Sequence, residues 1–190
     1  MSALGVAASI MAMPLGASDA QVASYQTRGD LKPAHNLACI AIDQVSNVYT
    51  PADLMVAQSK CMQAGRFGDA MVLRLVAGTY SRFDALRVTD ATAHDAYAAL
   101  KADYPPDAKA FPHMKDMSAK YQAASSPEMA KFCLNIRRLG PPNYYPAYMI
   151  DHGMGAVLGT GGGLVKGFEA PKAWKAVLTQ YMRCEVAEAK

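Results

Sequence analysis

The stretch TPADLMVAQSKCMQAGRFGDAMVLRLVA, residues 50–77, decides the fold class. Thr50 carries a side-chain oxygen suited to capping a helix start, and Pro51 has no N–H to leave unpaired in a first turn. A helix is therefore expected from Pro51 to about Ala64, with Gly65 as its stop. From Phe67 to about Ala77, the residues Ala70, Met71, Leu73, Leu75 and Val76 supply the apolar side of another helix.

The same periodicity continues outward. Leu37, Ile40, Ala41, Val45 and Val48 predict a helix of three to four turns over 36–48. Ala93, Ala96, Tyr97 and Leu100 predict one over 89–104, ended by Pro105-Pro106, and 112–124 is a weaker candidate. Ser126-Pro127-Glu128 is a second cap-and-start signal. Met129, Phe132, Cys133, Ile136 and Leu139 then keep helical spacing up to Gly140-Pro141-Pro142. A last helix begins near Ala170-Pro171 and carries Trp174, Val177, Leu178, Tyr181 and Met182 on one stripe. The expectation is an all-α, compact domain of about seven helices.

Of the 190 residues, 52% are hydrophobic and 18% charged, enough apolar material for one core and too little charge for disorder. The net charge of +3 is spread evenly, which excludes the clustered basic stripe of a nucleic-acid binder. Residues 1–13 are a charge-free apolar run, followed by Pro14, Gly16 and the small-x-small triplet Ser18-Asp19-Ala20. This reads as a secretory leader over 1–20, leaving 21–190 as a single helical domain in the periplasm or secreted. One departure is that no Lys or Arg precedes the run, Arg28 being the first. The run is too short to cross a bilayer core of about 30 Å, and no membrane span is expected.

Cys39, Cys61, Cys133 and Cys184 are an even set in a chain read as exported, so disulfides are expected rather than a metal site, which would need close C-x-x-C pairs. Four cysteines allow three pairings. If 36–48 and 51–64 form an antiparallel hairpin turning near Tyr49-Thr50, Cys39 and Cys61 both lie roughly 16–17 Å from the turn and face each other. The expected bonds are Cys39–Cys61 and Cys133–Cys184.

Between Gly140 and Gly167 the Pro-then-Gly grammar predicts a long irregular loop, and loops of that length often carry function. Tyr144, Tyr145 and Tyr148 crowd one Pro-bounded turn beside Met149, His152 and Met154. Tyrosine offers a large rigid contact surface with a polar end, so this group is the candidate recognition surface; the alternative is that the rings pack the loop onto the helices. The glycines lack the spacing of a phosphate loop or a dinucleotide fingerprint, and no cofactor is expected. His35, His94, His113 and His152 form no metal-binding pair, and there is no G-x-S-x-G elbow. A Cys–His hydrolase built on Cys133 would require its thiol to be free.

Two resemblances add to this reading. Residues 54–77, with Gly65-Arg66-Phe67-Gly68-Asp69-Ala70 at the turn, resemble the helical hairpin of a tetratricopeptide repeat, in which an aromatic followed three positions later by Ala allows close packing. One repeat length of about 34 residues beyond Gly65 lies Ala99, in a different pattern, so the resemblance implies one hairpin and no solenoid. Residues 136–142 and 148–155 resemble a family of uncharacterised exported proteins of Gram-negative bacteria, which implies export but no activity. The functional expectation is a non-catalytic periplasmic protein that binds a protein partner, with neutralisation of an envelope-acting toxin as the setting. The rival is a small hydrolase using His152 in the 140–167 loop.

Overall fold

A computed structural model describes residues 30–123, 126–160 and 162–184; the leader read at 1–20 and the start of the mature chain at Gln21 lie outside them. The described residues are all-helical. Eight α-helices follow in order: α1 (Pro51–Gln63), α2 (Phe67–Arg87), α3 (Ala96–Asp103), α4 (Ala110–Gln122), α5 (Pro127–Leu139), α6 (Ala147–Ile150), α7 (Met154–Val157) and α8 (Ala170–Ala176). Three further turns accompany them, 3-10 turns at Ile42–Gln44 and Ala91–Asp95 and a π-helical turn at Val177–Tyr181.

Local chemistry accounts for the first two boundaries. Thr50 Oγ1 accepts from the Asp53 amide (3.2 Å) while Asp53 Oδ2 accepts from the Thr50 amide (2.7 Å), a reciprocal cap with Pro51 at the first helical position. At the other end of α1, Gly65 adopts φ +70°. The Gly65 amide then donates to the Met62 carbonyl (3.0 Å) and the Arg66 amide to that of Cys61 (2.9 Å), a Schellman stop. α1 packs along α2 more extensively than any other pair of elements meets.

α2 runs ten residues beyond the expected end at Ala77, to Arg87. Gly78 does not break it, because its missing side chain makes room for Tyr97: a Cβ there would lie 3.1 Å from the Tyr97 hydroxyl, which donates to the Arg74 carbonyl (2.8 Å). Tyr80 and Phe83 continue the buried face and pack edge-on or tilted against Trp174 at 6.0 and 5.9 Å, bringing α8 onto the same core.

The helix expected over 36–48 does not form. Only Ile42–Gln44 makes a helical turn; the rest is an irregular strap laid over α1 and the start of α2. Its polar groups are engaged from outside: Lys60 donates to the Asn36 side chain (2.9 Å) and the Leu37 carbonyl, and Arg66 to the Cys39 carbonyl (3.2 Å). The His35 amide and imidazole both meet the buried Asp53 carboxylate. These tertiary bonds take up polar groups that a helix would pair internally. The disulfide Cys39–Cys61 forms as expected, with Cα atoms 4.6 Å apart, but it joins a strap to a helix and not two antiparallel helices. Cys133–Cys184, at 5.6 Å, ties α5 to the end of the π turn.

The helix expected over 89–104 starts late. Thr89 exchanges hydrogen bonds with Gly163, and Asp90 caps the 3-10 turn by accepting from the Thr92 amide, so α3 begins only at Ala96. In the last element the π turn adds a residue to the helical circuit, which carries Tyr181 out of the stripe into solvent while Trp174, Val177, Leu178 and Met182 stay buried.

Candidate functional site

The segment from Gly140 to Val165 carries the residues read as functional, and it is held down at four places. At its start Tyr80 donates to the Gly140 carbonyl (3.4 Å), Asn47 Nδ2 to the Pro141 carbonyl (3.1 Å) and the Asn143 amide to the Asn47 carbonyl (2.8 Å).

The second tie is buried. Asp84, fully enclosed on α2, accepts at Oδ2 from the hydroxyls of Tyr144 (2.8 Å) and Tyr148 (2.9 Å), and at Oδ1 from Arg87 Nε (2.8 Å). Arg87 Nη2 lies 2.7 Å from the same Oδ1 as a charge contact, without the alignment of a hydrogen bond. The guanidinium stacks over Phe83 and Tyr144, 5.3 Å from each ring centre. Burial pushes the Asp84 carboxyl above its usual range, against the opposing pull of Arg87 and the two hydroxyls. Burial and then the Asp84 charge push both tyrosine phenols well above theirs, so they stay neutral donors.

The third tie is Asp90. Its carboxylate accepts from the Thr92 hydroxyl (2.6 Å) and the Gly155 amide (2.8 Å), and Thr92 Oγ1 in turn accepts from the Met154 amide (2.8 Å). The Thr92 and Gly155 bonds hold the Asp90 carboxyl below its usual range. Gly153 lies so close that a Cβ would collide with the Asp90 carboxylate. The fourth tie is a short bridge: Leu164 pairs with Val88, Gly163 with Thr89, and the Val165 amide donates to the Arg87 carbonyl (2.8 Å). The Gly155 and Gly163 amides therefore serve the fold and are not presented to an anion.

His152 has a partner that its sequence neighbourhood does not suggest. Its Nδ1 lies 2.8 Å from Oδ1 of Asp30, a buried carboxylate from the far end of the described chain, in a part-buried pair. Adjacent Asp151 is pushed above the usual carboxylate range by burial and then by the nearby Asp30 charge. Such a carboxylate orients an imidazole and leaves its other nitrogen free.

Of the six side chains read as a recognition surface, Tyr148 and Met149 are buried and Tyr144 is half-buried against the core. His152 is half-buried on Asp30, whereas Tyr145, 59% exposed, and Met154 face solvent. Sequence reasoning missed Leu158, 67% exposed, and the exposed Leu164, Val165 and Leu86. All but Tyr145 flank the Asp90 clasp and the Val88–Leu164 bridge, so a rim of exposed apolar side chains lies along this tied segment. Among the described residues no group of three or more His, Cys, Asp or Glu is placed to hold a metal ion. All four cysteines are in disulfides, which removes the Cys133 thiolate from any Cys–His chemistry. No described helix is long and apolar enough to cross a membrane. No protein-family model matches the chain, and neither the curated proteins nor the solved structures yield a match.

Proposed function

We propose that this chain is an exported, non-catalytic binding protein that engages a protein partner through the rim formed by Met154, Leu158, Leu164 and Val165. The observation that carries the reading is that these large apolar side chains are exposed on a segment whose backbone is pinned by buried and bridging hydrogen bonds. An exposed apolar surface on a pre-ordered frame suits docking, because little entropy is lost when the partner arrives. Two disulfides in the described fold favour an oxidising compartment, in keeping with the leader read at 1–20 and the resemblance to exported proteins. Neutralisation of an envelope-acting toxin is the setting we favour for a binder of this kind. It rests on analogy of fold class alone.

The test places a photo-crosslinking residue at Leu158 in the full chain expressed in a Gram-negative periplasm, with Lys131 on α5 as the control position. A discrete adduct at Leu158 alone is expected. Leu158→Asp should then weaken the captured partner more than 5-fold, equivalent to about 1 kcal/mol, at unchanged melting temperature. Identical adducts at both positions, or none, would refute the reading.

A second reading has one observation behind it, the Asp30–His152 pair, which resembles an oriented general base. The binding reading expects ester hydrolysis no faster than free imidazole supports. Faster hydrolysis that is lost in both His152→Ala and Asp30→Asn would favour a hydrolase instead.

A further inference from the structure

One opening in the molecule lies away from the rim. It is a groove of about 660 Å³ bounded by α2, α3, α4 and the C-terminal π turn, within the range of about 300–1,000 Å³ usual for small-molecule sites. Two kinds of side chain line it. Arg74, Lys101 and Lys115 bring positive charge, and among the described residues no carboxylate lines the groove and none pairs with these three. Met71, Met114 and Met182 form apolar wall. Phe111, 58% exposed, and Tyr181 leave ring surface open to solvent at the same place.

Arg74 is the informative member. Its Nη1 is buried and has no hydrogen-bond acceptor, an arrangement that costs free energy unless something supplies one. Tyr97 touches both residues: its hydroxyl donates to the Arg74 backbone carbonyl (2.8 Å), and Lys101 Nζ sits 5.1 Å from the centre of its ring. Burial raises the Tyr97 phenol to about 12, so it adds no negative charge near neutral pH.

We propose that this groove binds a long-chain carboxylate, with its headgroup on Arg74 and Lys101 and its alkyl chain along the methionine wall. Arg74 lines the groove, and its guanidinium matches a carboxylate headgroup in a bidentate fashion. Methionine is unbranched and adaptable, which suits a flexible alkyl chain. Apart from the three cations, the polar side chains of the groove are few, with Ser118 and Gln122 the main ones. That is too few to meet the many polar atoms of a peptide backbone or a sugar-phosphate. The site stands on residues separate from the partner rim and does not depend on that reading.

The experiment is calorimetric titration of the disulfide-bonded protein with dodecanoate. Octanoate, acetate, neutral dodecyl maltoside and an acidic amphipathic peptide serve as comparison ligands. Dodecanoate should bind at one site, octanoate more weakly, and acetate should not compete. Arg74→Gln and Lys101→Gln should each weaken dodecanoate at least 10-fold. Lys101 is half-exposed, so its replacement keeps the test valid should Arg74→Gln disturb folding. Absence of dodecanoate binding, or equal affinity in wild type and Lys101→Gln, would overturn the proposal. Tighter binding of the peptide would replace the ligand class, and equal binding of the maltoside would reduce the groove to a generic apolar surface; either result also overturns it.

Discussion

Replacing Asp84 with Ala should destabilise the protein by about 3–5 kcal/mol, the usual cost of stranding one member of a buried ion pair. The geometry explains why the cost belongs at the high end for a single side chain. Asp84 is fully buried and serves three donors, Arg87 Nε and the hydroxyls of Tyr144 and Tyr148, all within 2.9 Å. Without it, the Arg87 charge remains enclosed with no counterion, and two phenols lose their acceptor at roughly 1–3 kcal/mol for each donor left unpaired. For a fold of this size, each kcal/mol moves the melting temperature by roughly 2–4 °C, so a fall of about 6–20 °C is expected. Scanning calorimetry under non-reducing conditions gives the magnitude, and a double-mutant cycle gives its source. Asp84→Ala with Arg87→Met should cost less than the sum of the two single changes, because the second removes the charge that the first strands. Amide exchange at 144–150 should accelerate in Asp84→Ala, since the tyrosines hold that turn to α2. A loss under about 1 kcal/mol, or strict additivity in the cycle, would refute the idea that this carboxylate anchors the segment.

Loss of Cys133–Cys184, which closes a separation of 51 residues, should cost about 4 kcal/mol, against about 3 kcal/mol for the 22-residue separation of Cys39–Cys61; denaturant titration of the two paired Cys→Ala variants ranks them. Gly153→Ala should cost roughly 1–3 kcal/mol by displacing the Asp90 carboxylate from the Gly155 amide, whereas Gly163→Ala, whose Cβ would meet nothing within 4 Å, should be near neutral; thermal unfolding compares them. Above pH 10 an unfolded chain releases its phenolic protons while Tyr144 and Tyr148, held well above that value, keep theirs in the fold. The native state then binds more protons than the unfolded state, so stability falls as pH rises, by about 1.4 kcal/mol per unit for each tyrosine, and the Tyr144→Phe, Tyr148→Phe double variant should flatten that slope in alkaline denaturation.

Where a helix end is chemically local, the sequence states it. Thr50 with Asp53, Gly65, and Ser126 with Pro127 each act within a few residues of themselves, and the structure starts and stops α1 and α5 where they stand. The strap over 36–48 shows the limit of that reasoning. Its apolar spacing is helical, but its polar groups are claimed by Lys60 and Arg66, and the His35 just before it by Asp53, residues of other elements that no local pattern reveals. The Cys39–Cys61 pairing was legible even so, because the bond asks only that Cys39 lie back over the last turn of α1. A strap meets that condition as well as a helix does.

The candidate site was half legible for a related reason. The tyrosine cluster stood out, but its assignment between interior and surface depended on whether α2 reached Asp84, and a helix ended at Ala77 would leave that carboxylate outside the packed face. A signal was present in 67–87: Tyr80, Phe83, Asp84 and Arg87 continue the apolar stripe at spacings of three and four, with an acid and a base one turn apart within it. A charge pair inside an apolar stripe is costly unless other polar groups reach it, and the loop tyrosines, donors on long rigid bodies, are among the side chains able to do so. Followed through, that argument buries Tyr144 and Tyr148 on α2 and leaves Tyr145 outside, since Tyr145 lies between two rings committed inward. It also moves the search for a recognition surface from the tyrosines to the apolar residues that follow them, Met154, Leu158, Leu164 and Val165, which the Asp90 clasp and the Val88–Leu164 bridge hold against solvent.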